Sequence, residues 1–302
     1  MKKLKIALQK SGRLHEESIK FLKDCGININ LYYSDKLRVE AINFPMDVFF
    51  LRDDDIPKYI QEGVADIGIV GKNIVFEQKK NILIKEKLGF GICRLSIAVP
   101  KDTKYKNVEE LDGKRIATSY PNLLKKFLEE HNMFSYVVNI SGSVEIATNI
   151  GIADAIFDLV SSGETLLKNN LKEIKQMFSS EAVLLCCPKY EQKTLVKQLL
   201  FRIQAVKRAI TNKYILFYAP NKKLDNIFSF LMKKLTMASR PPIKPAILTI
   251  TDSKYSYVQA IVEDYMIWKT ISFLERNGVK YLTVHPIQKF IIDENYSNFH
   301  TG

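Results

Sequence analysis

Cysteine, histidine and tryptophan are scarce in this chain, at four, four and one copies, and their scarcity removes several classes of protein at once. Cys25, Cys93, Cys186 and Cys187 lack the spacing of a zinc site or a disulfide framework. The adjacent pair Cys186-Cys187, inside an apolar run, reads as two small buried residues. His15, His131, His285 and His300 are scattered, so no cluster of protein ligands for a metal is visible. Long apolar runs are absent as well: none approaches the roughly 20 residues of a membrane span. The first apolar stretch, Leu4 to Leu8, stops at Gln9-Lys10, too short for the core of a signal peptide. The expectation is a cytoplasmic protein with no membrane partner.

What remains is the composition of a soluble globular chain, 46% apolar and 26% charged over 302 residues, long enough for two or three domains with cores of their own. The net charge of +12 comes from lysines spread along an Ile- and Asn-rich sequence. No face groups basic with aromatic residues, so no nucleic-acid partner is expected. A basic surface does favour small anionic ligands such as nucleotides.

From Leu4 the chain alternates short apolar strands with helical patterns, the signature of α/β architecture. Strands are expected at Leu4–Leu8, Val48–Leu51, Asp66–Val70, Cys93–Val99, Lys114–Ala117, Ser135–Ile140 and Glu181–Cys187, with helices near residues 16–24, 121–130 and 191–212. In the last helix Leu195, Leu199, Ile203, Val206 and Ile210 make an i+4, i+4, i+3, i+4 stripe, which is core packing. Polar segments follow the strand ends: Lys10-Ser11-Gly12-Arg13, Arg52-Asp53-Asp54-Asp55 and Gly71-Lys72-Asn73. Open α/β sheets place ligands at those ends, so Lys10 and Arg13 are candidate phosphate or base contacts, though solvated loop cations fit equally. One of the acids at 53–55 can cap the helix that Pro57 begins; the others need Arg52, a second arginine or Mg²⁺ to offset their charge. Arg94, amid apolar residues, calls for an anionic partner. Beyond residue 213 the order changes to βαββαβ, that of a ferredoxin-like domain, with Asp264 as a helix cap, a proline-rich break at Arg240 to Pro245 and a polar tail from Asp293.

The most informative stretch is Asp154-Ala-Ile-Phe-Asp158-Leu-Val-Ser161-Ser162-Gly163-Glu164-Thr165-Leu166. An apolar strand flanked by acids runs into a small-residue turn at the start of a helix. Backbone N–H groups at such a junction suit an anion, and nearby carboxylates suit sugar hydroxyls. This reads as a cradle for a sugar phosphate: Asp154 and Asp158 toward ribose hydroxyls, the loop toward a 5′-phosphate. An ordinary strand–turn–helix junction fits the same residues.

Taken together, Gln9–Leu14, Leu51–Pro57, Asp66–Gly71, Gly91–Ser96, Gly113–Pro121, Ser141–Glu145 and Asp154–Leu166 make the chain resemble the ATP phosphoribosyltransferases, and the C-terminal βαββαβ order resembles their long form with a histidine-sensing domain. The resemblance implies an α/β fold with a two-lobed catalytic unit like that of type II periplasmic binding proteins. Lobe I would comprise residues 1–100 and 181–212, lobe II residues 101–180, and the regulatory ferredoxin-like domain residues 213–302. It implies the first step of histidine biosynthesis: ATP and phosphoribosyl pyrophosphate give N1-phosphoribosyl-ATP and pyrophosphate, with Mg²⁺ carried mainly on substrate phosphates, in a homo-oligomer, dimer or hexamer, inhibited by histidine. Lys10, Asp154, Asp158, Ser161, Ser162, Gly163, Glu164 and Thr165 would hold phosphoribosyl pyrophosphate. Ser11, Gly12, Arg13, Arg52, Asp53, Asp54, Gly71, Asn73, Arg94 and Tyr120 would hold ATP. No single catalytic base is implied, because adenine N1 is a neutral nucleophile. Lys72 stands where related sequences often carry an acid. A solute-binding protein of the same shape is the reading from another class, and it would want a signal peptide. The four-residue spacing Asp154…Asp158 disfavours a type I phosphoribosyltransferase, which sets two acids side by side.

Overall fold

The first apolar run forms the centre of the first sheet: β1 (Leu4–Gln9) keeps Leu4, Ile6, Ala7 and Leu8 wholly out of solvent. The computed structural model describes residues 3–30, 37–78, 82–191, 193–235, 244–250 and 253–292, and they fall into two units, residues 1–197 and 198–302. After β1 come α1 (Arg13–Asp24), β2 (Arg38–Glu40), β3 (Met46–Leu51), α2 (Ile56–Gln61), β4 (Ile67–Gly71), α3 (Lys72–Glu77) and β5 (Leu83–Lys87). The chain then builds β6 (Cys93–Pro100), β7 (Arg115–Thr118), α4 (Pro121–Glu130), β8 (Tyr136–Asn139), β9 (Ala155–Val160), α5 (Glu164–Lys168) and β10 (Leu171–Ser180). It returns through β11 (Ala182–Cys186) and leaves along α6 (Thr194–Thr211).

Two sheets result, in the orders β2-β3-β1-β4-β11-β5 and β10-β6-β9-β7-β8. In the first, β1 runs parallel to β3 and β4, so their carboxyl ends share one edge; in the second, β7 and β9 are parallel and do the same. The expected two lobes and the return of the chain to lobe I are both present. The first crossing, however, comes before residue 100: β6 lies in the second sheet, paired with β9 and β10. Gly71-Lys72-Asn73 is not a loop either, since Lys72 opens α3 directly and Asn73 is buried. Along α6, Leu199, Ile203 and Val206 are buried as the stripe predicts, but Ile210 near its end is 57% exposed. The division between the two units falls within α6, after Lys197 rather than at residue 213.

The second unit is β12 (Asn212–Pro220), α7 (Leu224–Leu235), β13 (Ala246–Thr249), β14 (Tyr255–Glu263), α8 (Ile267–Arg276) and β15 (Lys280–Pro286). Its antiparallel sheet has the order β13-β14-β12-β15, the expected βαββαβ topology. Period-two burial puts Ile215, Phe217, Ala219, Val258, Ala260 and Val262 on one face, packed with Ile227, Leu231, Ile267 and Leu274 of the helices. Asp264 does not cap α8. It starts a single 3-10 turn and pairs with Lys213 at 3.3 Å. Residues 240–243 of the proline-rich break and the tail from Asp293 lie outside the described residues.

Candidate active site

The two sets of strand ends meet at a cavity of about 270 Å³. Gln9, Arg13, Asp53, Gly71 and Asn73 line it from the first lobe, and Cys93, Leu159 and Ser161 from the second. Five of the sequence-derived candidates (Arg13, Asp53, Gly71, Asn73 and Ser161) are thus brought to one place. Gln9 and Cys93 join them without having been singled out, since neither residue type signals a site by itself.

On the second lobe, β9 ends at Val160 and the chain turns through Ser161, Ser162 and Gly163 into α5. Gly163 is left-handed, φ 82° and ψ 0°, a conformation that disfavours any residue with a Cβ. The first amides of α5 have no acceptor inside the helix, and Ser161, Ser162, Glu164 and Thr165 are exposed, so the loop offers N–H groups to an anion. Glu164 turns to Lys168 at 2.8 Å. Ser161 is held from both lobes: Arg13 Nη1 donates to its hydroxyl, and Arg94 Nη1 donates to its carbonyl at 3.1 Å.

Arg94 has the anionic partner its setting calls for. Its guanidinium forks onto Glu173, Nε to Oε1 at 2.8 Å and Nη2 to Oε2 at 2.7 Å, which holds the Glu173 carboxyl below its usual range. With these donors and Nη1 engaged on its own lobe, Arg94 braces the loop, a correction to the expected nucleotide contact.

The two acids of the opening motif part company. Asp158 is half-buried with its charge near Tyr120; desolvation pushes its pKa up to about 6, a rise opposed by the Leu159 N–H and reinforced by the nearby charge of Glu145. Asp154 lies four residues back along the strand, about 13 Å away by strand rise. There it accepts from the Arg115 backbone N–H at 2.9 Å and pairs with Arg115 Nη2 at 3.0 Å, and this partner lowers its pKa. Asp154 therefore fastens β9 to β7, with its carboxylate committed to Arg115. Glu145, in a single 3-10 turn, Val144–Ile146, is the acid whose charge is felt at Asp158.

On the first lobe, Gly12 (φ 88°) turns the chain into α1, and Lys10 N bonds the Leu51 carbonyl at 2.7 Å, leaving the Lys10 and Ser11 side chains exposed at the strand end. Arg13 also pairs with Glu17 at 2.8 Å. Arg52 pairs with Asp54 at 3.4 Å, both largely exposed, while Asp53 accepts from the Asp54 N–H at 3.0 Å and has its pKa raised by desolvation. None of the three acids caps α2 through its side chain. Asn73 is the buried hub. Its N–H donates to Ser180 Oγ at 3.0 Å, Ser180 Oγ donates to Asn73 Oδ1 at 2.8 Å, and Asn73 Nδ2 donates to Tyr120 Oη at 3.1 Å. Burial, with Asp158 and Asp53 nearby, pushes the Tyr120 phenol above its ordinary range. Lys72 turns away to the rings of Phe76 and Phe178, 5.2 and 4.8 Å from their centroids.

Among the described residues no group of three or more His, Cys, Asp or Glu side chains could hold a metal by itself. Mg²⁺ is usually held by one or two carboxylates plus substrate phosphates, and the carboxylates that could supply that here are Asp158 and Glu145, whose charges interact.

The family model for HisG, ATP phosphoribosyltransferase, matches residues 52–205. The ATP phosphoribosyltransferase of Cytophaga hutchinsonii is 45% identical over 291 residues, covering 95% of this chain and 98% of its own. The chain belongs to the ATP phosphoribosyltransferase family. Its activity is therefore that of a transferase acting at the first step of histidine biosynthesis. The ATP phosphoribosyltransferase of Phocaeicola vulgatus is 41% identical, covering 96% of this chain and all of its own. A solved structure, the ATP phosphoribosyl transferase (HisG:HisZ) complex from Thermotoga maritima, is 29% identical with a TM-score of 0.57 and covers 67% of this chain and 96% of its own. No described helix is long and apolar enough to cross a membrane.

Proposed function

We propose that the cleft binds phosphoribosyl pyrophosphate on the second lobe and ATP on the first, and aligns adenine N1 with the ribose C1 on the face opposite the leaving pyrophosphate. The observation that carries this reading is the end of strand β9, which brings Leu159 and Ser161 to the cavity that Arg13, Asp53 and Asn73 line from the other lobe, with Asp158 between Phe157 and Leu159 on the strand and the Ser162–Thr165 turn directly after it. The loop amides take the 5′-phosphate, Asp158 and Glu145 the ribose hydroxyls or a substrate-borne Mg²⁺, and Lys10 lies at the strand end where pyrophosphate charge accumulates. Mg²⁺, when bound, offsets that charge. A neutral nucleophile needs no strong base, so the residues' main task is orientation, which can contribute on the order of 7–11 kcal/mol.

The second unit carries histidine sensing and assembly into dimers or hexamers in this reading, and the enzyme works in the cytoplasm. In support, the sheet face away from its helices is aromatic: Tyr218 lies 5.6 Å from Tyr257 and 5.9 Å from Tyr281 by ring centroids. Purified protein mixed with ATP, phosphoribosyl pyrophosphate, Mg²⁺ and pyrophosphatase should generate the ultraviolet absorbance of phosphoribosyl-ATP, abolished by chelator and reduced by histidine. Absence of product overturns the proposal; product that histidine leaves unaffected overturns the sensing role alone.

A further inference from the structure

The anion loop has little of its own to hold it. α5 has five residues, and Ser161 to Gly163 belong to no strand or helix. The Ser161 carbonyl and the Ser162 N–H are parts of one planar peptide and point opposite ways. Whatever fixes that oxygen therefore aims the amide. Arg94 Nη1 bonds the oxygen at 3.1 Å, but an arginine side chain gives up much rotamer freedom when held in one place. It makes a clamp only if it is itself clamped.

Glu173 does this from the neighbouring strand. Its carboxylate receives Arg94 Nε and Nη2 at 2.8 and 2.7 Å, the bidentate arrangement that sets the guanidinium plane and leaves Nη1 directed at Ser161. Ser96, buried on β6, donates to Glu173 Oε1 at 2.8 Å and fixes the carboxylate in turn. The strand does not need this acid, because β10 pairs with β6 through backbone bonds that are independent of the side chain at position 173. Resting on the phosphate-loop reading above, we infer that Glu173 is a positioning residue for phosphoribosyl pyrophosphate: through Arg94 it sets the Ser161–Ser162 peptide and so the direction of the amides that meet the 5′-phosphate.

Steady-state kinetics on the full chain test this with Glu173→Gln, which keeps size and loses charge, Arg94→Lys, which loses the fork, and the double variant. Each single change should raise KM for phosphoribosyl pyrophosphate about 10- to 100-fold while KM for ATP and the melting temperature stay near wild type. The double variant should be no worse than the worse single, since the pair acts as one unit. Ser96→Ala, which leaves the ion pair in place, should give a smaller rise of the same kind, and it decides the matter if Glu173→Gln does not fold. An unchanged KM for phosphoribosyl pyrophosphate, or parallel losses for both substrates with a lowered melting temperature, overturns the positioning role. Calorimetry separates the two levels: wild-type protein that fails to bind phosphoribosyl pyrophosphate overturns the loop reading itself, whereas wild-type binding with unaffected Glu173→Gln overturns only the part assigned to Glu173.

Discussion

Asn73 of the first lobe donates through its side-chain amide to the Tyr120 hydroxyl of the second at 3.1 Å, and both residues are more than nine-tenths buried. The bond joins the lobes beneath the cleft, and Ser180 completes the Asn73 carboxamide from β10. Asn73→Ala leaves Ser180 and Tyr120 short of partners in a dry setting, which should destabilise the first unit by about 1–3 kcal/mol in urea unfolding and weaken ATP binding by calorimetry. Gly71→Ala attacks the same network from the backbone side, because its Cβ would lie 2.3 Å from Asn73 Oδ1. It should reproduce the Asn73→Ala phenotype, and wild-type ATP affinity in both variants removes the network from the site.

Asp158 should trade stability against binding. Its pKa is raised to about 6 by burial, so the folded state holds the proton more tightly than the unfolded chain, and stability falls as pH rises from near 4 through 6. Asp158→Asn does not titrate. It should melt higher than wild type at pH 7.5, with the difference vanishing near pH 4, and yet lose most affinity for phosphoribosyl pyrophosphate. In wild type, that affinity should weaken as pH drops through about 6, where the carboxylate gains its proton. Thermal melts at the two pH values and binding titrations check both signs.

Asp154 should behave in the opposite way, although it shares the motif. Its pKa is lowered by Arg115, so its contribution is present above the unfolded pKa and is lost as pH falls through the folded one. Asp154→Asn should lower the melting temperature at neutral pH and leave KM for phosphoribosyl pyrophosphate unchanged. A large rise in that KM would restore Asp154 to the site.

The contrast between these two acids marks where sequence reasoning stops. Alternating apolar runs locate β1, β3, β4, β7, β9 and β11, because central strands are covered on both faces and need continuous apolar residues. The strands that such runs do not reveal are β2, β5 and β10, and all three lie at sheet edges. Edge strands keep one flank open and carry charge to avoid pairing with other chains, as Arg38 and Glu40, Lys85 to Lys87, and Lys172, Glu173 and Lys175 do. Two of the residues that brace the site, Glu173 and Ser180, sit on β10 and were hidden with it. Their partners lie 79 and 107 residues away in the chain, a separation no local pattern encodes. Parity along β9 places Asp154 and Asp158 on one face, but only the sheet shows that the cleft begins at one end of it.

Glu77, at the end of α3, also acts across the lobes. Its carboxylate accepts the backbone N–H groups of Asn122 and Leu123, both at 2.9 Å, in the first turn of α4, while its own carbonyl accepts Asn122 Nδ2 at 3.0 Å. A helix start has unpaired donors and a positive dipole end, so an acid supplied by another element caps it as an N-cap residue would. Glu77→Ala exposes those donors and should cost about 0.5–2 kcal/mol, the range for a lost cap. Because α4 begins immediately after Tyr120, hydrogen exchange should quicken at both Asn122–Leu123 and the Asn73–Tyr120 contact, with Glu77→Gln, which retains one acceptor, falling between. Faster exchange confined to α4 would show a cap that does nothing to join the lobes.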